Sequence, residues 1–418
     1  MTFRDWQTRS PADAAHELHT LVRTRLAPAQ QRAVIAHLPD EGELAARFAS
    51  ASAMPAAGAP LARVPFFAKD LFDVGGVPTF AGSTFLPEVR PTRTADGAMV
   101  AAMKTAGATL AGKTHMHEFA YGITGENAHY GDCEHPHFPG RTTGGSSSGS
   151  AAAVAAGVVP LALASDTGGS VRVPAAFCGL YGFRVTPRDA WISDAVPLAP
   201  SYDTAGWFTA NAADLRTTID ALVGLGKSER EPRGCFLDMP GLDPDVAAAY
   251  RNAAMKFATP ADAATREALT NSFAAAVETY NTVVAVEAWE YHRGWAERYR
   301  ERYSLPVWQR LTRVQAVTSA QREAAAAHTA VLRQTWTQFF QAHDFLVLPA
   351  SPAAALTKAE CTLENRMRIL ALTAPASIGG LPVLSIPVPL PSGLTTGLQI
   401  IVNDRRSPAI AWALNRWR

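Results

Sequence analysis

Three short stretches carry residues able to do nucleophilic chemistry: GGSSSGS at 144–150, DTGGS at 166–170 and VPFFAKDLFD at 64–73. The GSSSG within the first matches the G-x-S-x-G nucleophile elbow with Ser147 at its centre, but that turn follows an apolar strand. The residues in front of it, GDCEHPHFPGRTT, are instead full of Pro, Gly and charge. The stretch also lacks the Gly-Lys-Ser/Thr ending with which a phosphate loop grips its ligand. A spacer fits poorly, because an Ala/Val run to Gly157 and a strand candidate, VVPLALAS, follow directly.

The second turn, Asp166-Thr167-Gly168-Gly169-Ser170, is the better place for chemistry. Two glycines permit a sharp turn in which successive backbone N–H groups converge on an anion. A serine ending that turn is placed to attack a carbonyl while those N–H groups hold the oxyanion. Its hydroxyl needs a base, yet none of the 11 histidines lies in a turn that pairs naturally with this one. Lys69 ends an apolar run that reads as a buried strand, and burial lowers a lysine from its usual ~10.4 toward the range of a useful base. The structural alternatives for Lys69 are a surface position and an ion pair with Asp70. Asp166 and Arg172, which flank the nucleophile turn, read as a salt bridge or hydrogen bonds that hold it, since a buried charge needs a partner.

Cys133, His135 and His137, with His115, His117 and His129 nearby, offer the donor types of a zinc site. Their spacing matches no familiar zinc module, and Pro and Gly around them suggest a loop of ordinary surface histidines, so no metal and no organic cofactor are expected. The four cysteines, Cys133, Cys178, Cys235 and Cys361, are scattered as reduced thiols would be.

The elements that must position these residues follow from periodicity. Residues 11–50 have helical spacing, with Leu18, Leu21, Val22 and Leu26 on one face and Pro11 near a start, and 1–60 reads as an N-terminal helical layer. From 61 to 225, short apolar runs alternate with Ala-rich helical stretches and Gly-rich turns, the texture of a layered α/β core. Thr259-Pro260 reads as a helix start, followed by a helical run to Tyr280 and a strand at TVVAVEA, 282–288. Residues 288–343 read as two or three helices forming a cap over a pocket, their Trp and Tyr residues at 289–310 mostly packing groups. FLVLPASP, LPVLSIPVP and GLQIIV in 344–418 return to the sheet, so the chain reads as one domain.

The chain has 418 residues, 48% of them hydrophobic, and a formal charge of +1. That balance gives no electrostatic reason to expect nucleic acid or an anionic membrane as partner. The N-terminus MTFRDWQTRS has no apolar leader and no apolar run is long enough to span a bilayer, so a cytoplasmic protein is expected.

Together these stretches resemble the amidase signature family of serine hydrolases. The resemblance rests on GGSSSGSAAAVAAG (144–157), DTGGSVRVPAAFCGLYGFRVTP (166–187), VPFFAKDLFDVGGVPTFAGS (64–83), GKTHMHEFAYG (112–122) and, more weakly, APASIGGLPVLSIPVP (374–389). It implies a single-domain α/β fold over 1–418, with a central mixed sheet flanked by helices on both faces. It also implies Ser170 as acyl-forming nucleophile, Ser146 as a bridging serine on a cis peptide bond, and Lys69 as terminal base. The amides of Thr167, Gly168, Gly169 and Ser170 become the oxyanion hole, and Ala120 aligns near the acyl pocket. Two departures stand out: Ala164-Ser165 where Gly-Thr is usual, and His115 where Asn is common near the pocket entrance. The expected partner is a small-molecule amide, with a homodimer as an allowed state. Other readings are a hydrolase of carbamates or esters, the amidase subunit of a glutamine-dependent amidotransferase, and a binding protein on a degenerate scaffold.

Overall fold

The computed structural model describes residues 1–52 and 59–417; residues 53–58, within the expected helical layer, and Arg418 lie outside the described residues. Among the described residues eleven strands form one sheet: β1 (Ile35–His37), β2 (Pro65–Lys69), β3 (Thr109–Thr114), β4 (Leu161–Asp166), β5 (Tyr181–Arg184), β6 (Thr204–Thr209), β7 (Gly234–Phe236), β8 (Thr259–Pro260), β9 (Phe345–Pro349), β10 (Val383–Pro389) and β11 (Thr395–Val402). Their order is β1-β3-β2-β4-β6-β5-β10-β11-β9-β7-β8. β2 runs parallel to β3 and β4, and β7 parallel to β8 and β9. The remaining pairs are antiparallel, so the sheet is mixed.

β2, β3, β4 and β6 are buried along their whole length. Strands covered on both faces read as unbroken apolar runs, which is how VPFFAK and LALAS appear in the sequence. One face is covered by Leu18, Leu21 and Val22 of the helix Pro11–Arg25, with Phe48 and the helix Ser148–Ala155. Ser10 caps the first of these by accepting from the Asp13 N–H, and Pro11 takes its first turn. A larger apolar cluster covers the opposite face, with Leu215, Tyr250, Tyr280 and Ile369 among its members.

Two expectations are corrected here. The run 282–288 is not a strand but part of the helix Ala276–His292. That helix packs against three others, Leu305–Thr312, Ser319–Ala342 and Leu363–Gly379. A helix enclosed on several sides has no single apolar stripe, and its Val-rich stretch then imitates a buried strand. Thr259-Pro260 is the edge strand β8, and the next helix begins at Ala263 behind Asp262, whose side chain accepts from the Thr265 N–H. The three strands expected in the tail are β9, β10 and β11.

Candidate active site

Lys69 is the last residue of β2 and is fully buried. Its Nζ donates to Ser146 Oγ at 2.8 Å, Ser147 Oγ at 3.0 Å and Ser165 Oγ at 2.8 Å. The ion pair with Asp70 does not form: that carboxylate is taken by Lys113, 2.6 Å away on β3. With three hydroxyls and no carboxylate in contact, burial pulls Lys69 down to about 7, against a smaller opposing pull from Asp166 and Asp203.

The serine run sits where the chain enters the helix Ser148–Ala155, and the Gly145–Ser146 peptide bond is cis. The backbone of Ser146 is held by the His117 N–H, which donates to its carbonyl at 3.0 Å, and the Gly145 N–H donates to the Ile123 carbonyl at 2.9 Å. Ser147 Oγ donates to the Ser165 carbonyl and Ser150 Oγ to that of Leu163, which ties the run to β4. Gly149 is glycine because a Cβ there would meet the His115 carbonyl oxygen at 2.5 Å and that of Val34 at 2.8 Å.

Ser170 follows β4 and precedes the helix Arg172–Cys178. Among the described residues its Oγ has no hydrogen-bond partner, so the structure joins Lys69 to Ser146 but leaves Ser170 unbonded. No histidine side chain among the described residues bonds either serine. Of the four amides expected to face an oxyanion, that of Gly169 instead donates to Asp166 Oδ1 at 2.9 Å, a correction to its expected role. Gly169 has φ +135°, which an L side chain rarely adopts.

Asp166 organises the turn. It accepts from Arg172 Nε at 3.0 Å and NH2 at 2.8 Å, from Arg184 NH1 at 2.9 Å, and from the Val171 N–H at 3.0 Å. Burial would raise its carboxyl, but the two guanidiniums outweigh it and hold the group well below the usual carboxylate range. Arg172 reaches on to the Thr373 carbonyl, Gln399 Oε1 and Ser377 Oγ, fastening the turn to β11 and to the helix Leu363–Gly379. The structural reading of Asp166 and Arg172 therefore stands.

Ser170 opens on a cavity of about 10 Å³, room for one water, walled by Ala120, Gly168, Tyr280, Arg366 and Leu370. Ala120 lines this cavity at a positive φ of 56°, next to Phe119 at 49°. Tyr280, Arg366 and Leu370 escaped the sequence reading; they lie on helices flanking the 288–343 stretch. That stretch supports the wall from behind, where Arg310 NH1 donates to the Tyr121 carbonyl and meets His117 Nε2 at 3.1 Å. Its aromatic residues pack among Phe85, Phe119 and His292.

His115 is not part of this wall. It is 7% exposed and stacks on Tyr130 at 3.8 Å, and burial pulls it down to about 4. The surface position expected for the histidine loop is corrected for His117 and His135, each 4% exposed, whereas His137 is exposed. Cys133 donates to the Ala33 carbonyl, His135 meets that of Phe177 and His137 that of Ala155. Among the described residues no group of three or more His, Cys, Asp or Glu could hold a metal ion, and all four cysteines are free.

A model of the amidase family matches residues 19–236 and 232–407. AtzE, a 1-carboxybiuret hydrolase component from Pseudomonas sp. (strain ADP), is 47% identical over 165 residues, 40% of this chain and 36% of that protein. This chain therefore matches little more than a third of that relative's length. A glutamyl-tRNA(Gln) amidotransferase component from Anaeromyxobacter dehalogenans is 30% identical over 91% of this chain and 87% of that one. A crystal structure of an amidase superposes with a TM-score of 0.86 at 27% identity, covering 99% of this chain and 98% of that chain.

Proposed function

The chain belongs to the amidase family, and from that premise we propose that it is an amidohydrolase that cleaves the C–N bond of a small carboxamide through an acyl-enzyme on Ser170. The observation that carries this reading is the Lys69 amine, buried without a carboxylate and hydrogen-bonded to Ser146. An amine near 7 is neutral in a large fraction of molecules at neutral pH and is matched to general-base work.

In this mechanism neutral Lys69 takes a proton from Ser146 as Ser146 takes one from Ser170, and Ser170 Oγ bonds to the substrate carbonyl carbon. The substrate's arrival closes the Ser170–Ser146 contact, as catalytic hydrogen bonds tighten in the reacting complex. The amides of Thr167, Gly168 and Ser170 receive the oxyanion, each donor worth about 10²–10³ in rate. The Gly169 amide holds the turn through Asp166 instead. The C–N bond then breaks, the relay runs backward to protonate the departing nitrogen, and ammonia or an amine leaves. Water repeats the sequence on the acyl-enzyme. Carbamates and esters present the same carbonyl to the same groups.

A second reading, the amidase subunit of a glutamine-dependent amidotransferase, is favoured by the relative that matches nine-tenths of the chain. Full turnover of small amides by the purified chain alone, with none on glutamine, would remove it. For the leading reading, a fluorophosphonate probe should label Ser170, and Ser170→Ala should abolish both labelling and amide turnover. Unchanged turnover in that variant would reject it.

A further inference from the structure

Arg366 projects from the helix Leu363–Gly379 into the wall of the Ser170 cavity and is 8% exposed. Among the described residues its guanidinium makes no hydrogen bond and no ion pair. The two other deeply buried arginines, Arg172 and Arg184, both pair with Asp166. A buried charge without a partner is costly, and a fold that keeps one in a cavity wall leaves the counter-charge to be supplied by what enters the cavity.

A second donor faces the same space. The Tyr280 hydroxyl has no partner among the described residues, and it stands against the nucleophile turn: a Cβ added to Gly168 would lie 2.4 Å from Tyr280 Oη. Two further cations act on this region. Arg310 and the exposed Arg313 form no ion pair among the described residues, and both oppose the charge on Arg366. The carboxylates that act on Tyr280 and Arg310 are held elsewhere: Asp203 accepts from Thr167 Oγ1 and from the amides of Leu198 and Ala199, Glu126 from Thr124 Oγ1, and Asp166 pairs with Arg172 and Arg184.

We propose that Arg366 and Tyr280 form a carboxylate subsite, so that the substrate is an amide whose acyl part carries a carboxylate a few bonds from the scissile carbonyl. The monoamide of a short dicarboxylic acid has this form. A guanidinium presents parallel N–H donors that match a carboxylate edge, and the phenol adds a third donor. The cavity holds both Ser170 and Arg366 in its wall, so a carboxylate held by Arg366 lies close to the reacting carbon. This inference rests on the amidohydrolase reading above.

The test compares malonamate and succinamate with their neutral counterparts, malonamide and succinamide, on the wild type, Arg366→Met and Arg366→Lys. The expected result is a preference of about 100-fold in kcat/KM for one carboxylated amide, lost in Arg366→Met mainly through KM and partly kept in Arg366→Lys. Arg366→Met should cost the carboxylated amides at least about tenfold more in kcat/KM than it costs the diamides, with Arg366→Lys in between. Equal use of charged and neutral amides by the wild type would overturn the proposal, as would an equal loss on both in Arg366→Met. If no amide were turned over, the amidohydrolase reading would fail by itself, and the subsite would still be decided by calorimetry. Succinamate and malonamate would be titrated into Ser170→Ala with and without Arg366→Met: binding at least about tenfold weaker in the double variant supports the subsite, and equal or absent binding overturns it.

Discussion

Burial is the largest influence on whether Lys69 is a cation or a base, and it outweighs the attraction of Asp166 and Asp203. The rate of acylation should therefore rise with pH through about 7 as Lys69 loses its proton. Ser165 offers a direct check on that assignment. Its Oγ accepts from Nζ at 2.8 Å and so favours the charged amine. Ser165→Ala removes that acceptor and should move the ascending limb of kcat/KM to lower pH, which a pH profile on any turned-over amide would show. A limb that stays in place would detach the profile from Lys69. Lys69, Ser146 and Ser170, the residues proposed as catalytic, were legible because each sits in a short motif whose backbone character is written in its neighbours. The wall residues Tyr280 and Arg366 were not, because no local pattern in a helix reveals that one of its side chains faces a cavity made by segments more than a hundred residues away.

The nucleophile turn is held by charges that the sequence only half revealed. Asp166 and Arg172 stand six residues apart and were read as a pair, whereas Arg184 joins from β5 and Ser377 and Gln399 from the tail, which only the sheet order brings together. Asp166→Asn would leave two buried guanidiniums uncompensated and should cost about 3–5 kcal/mol, measured by urea unfolding. The sign with pH follows from the depressed folded-state value. The wild type keeps this contribution above the unfolded carboxyl value of 3.8 and loses it as pH falls further toward the folded value. Asp166→Asn should lack that acid-dependent loss. The misread stretch at 282–288 belongs to this scale too, since enclosure by three helices erased the polar face that would have marked it as helical.

Across the whole molecule, the alternation of apolar runs and Ala-rich stretches was enough to anticipate a layered core, and the strands of the tail were expected where they lie. The order in which strands join was not readable, because non-local pairing leaves no local trace: β2 meets β4 across nearly a hundred residues, and β1, three residues long, was hidden within a helical stretch. The helix Pro11–Arg25 in the layer on one face supports the sheet and makes none of the hydrogen bonds to Lys69. Leu18→Ala should accordingly destabilise the protein by about 2–5 kcal/mol in urea while leaving kcat unchanged. What the architecture achieves is the meeting of a strand end, a helix entry and a glycine turn around one buried amine. The rate at which a fluorophosphonate labels Ser170, followed from pH 5 to 9 in the wild type and in Lys69→Met, tests that meeting most directly. The account predicts a rate that climbs through about 7 to a plateau in the wild type, and a low, flat rate in Lys69→Met that is smaller by about 10²–10⁴ at the plateau. Labelling as fast in Lys69→Met as in the wild type would contradict it.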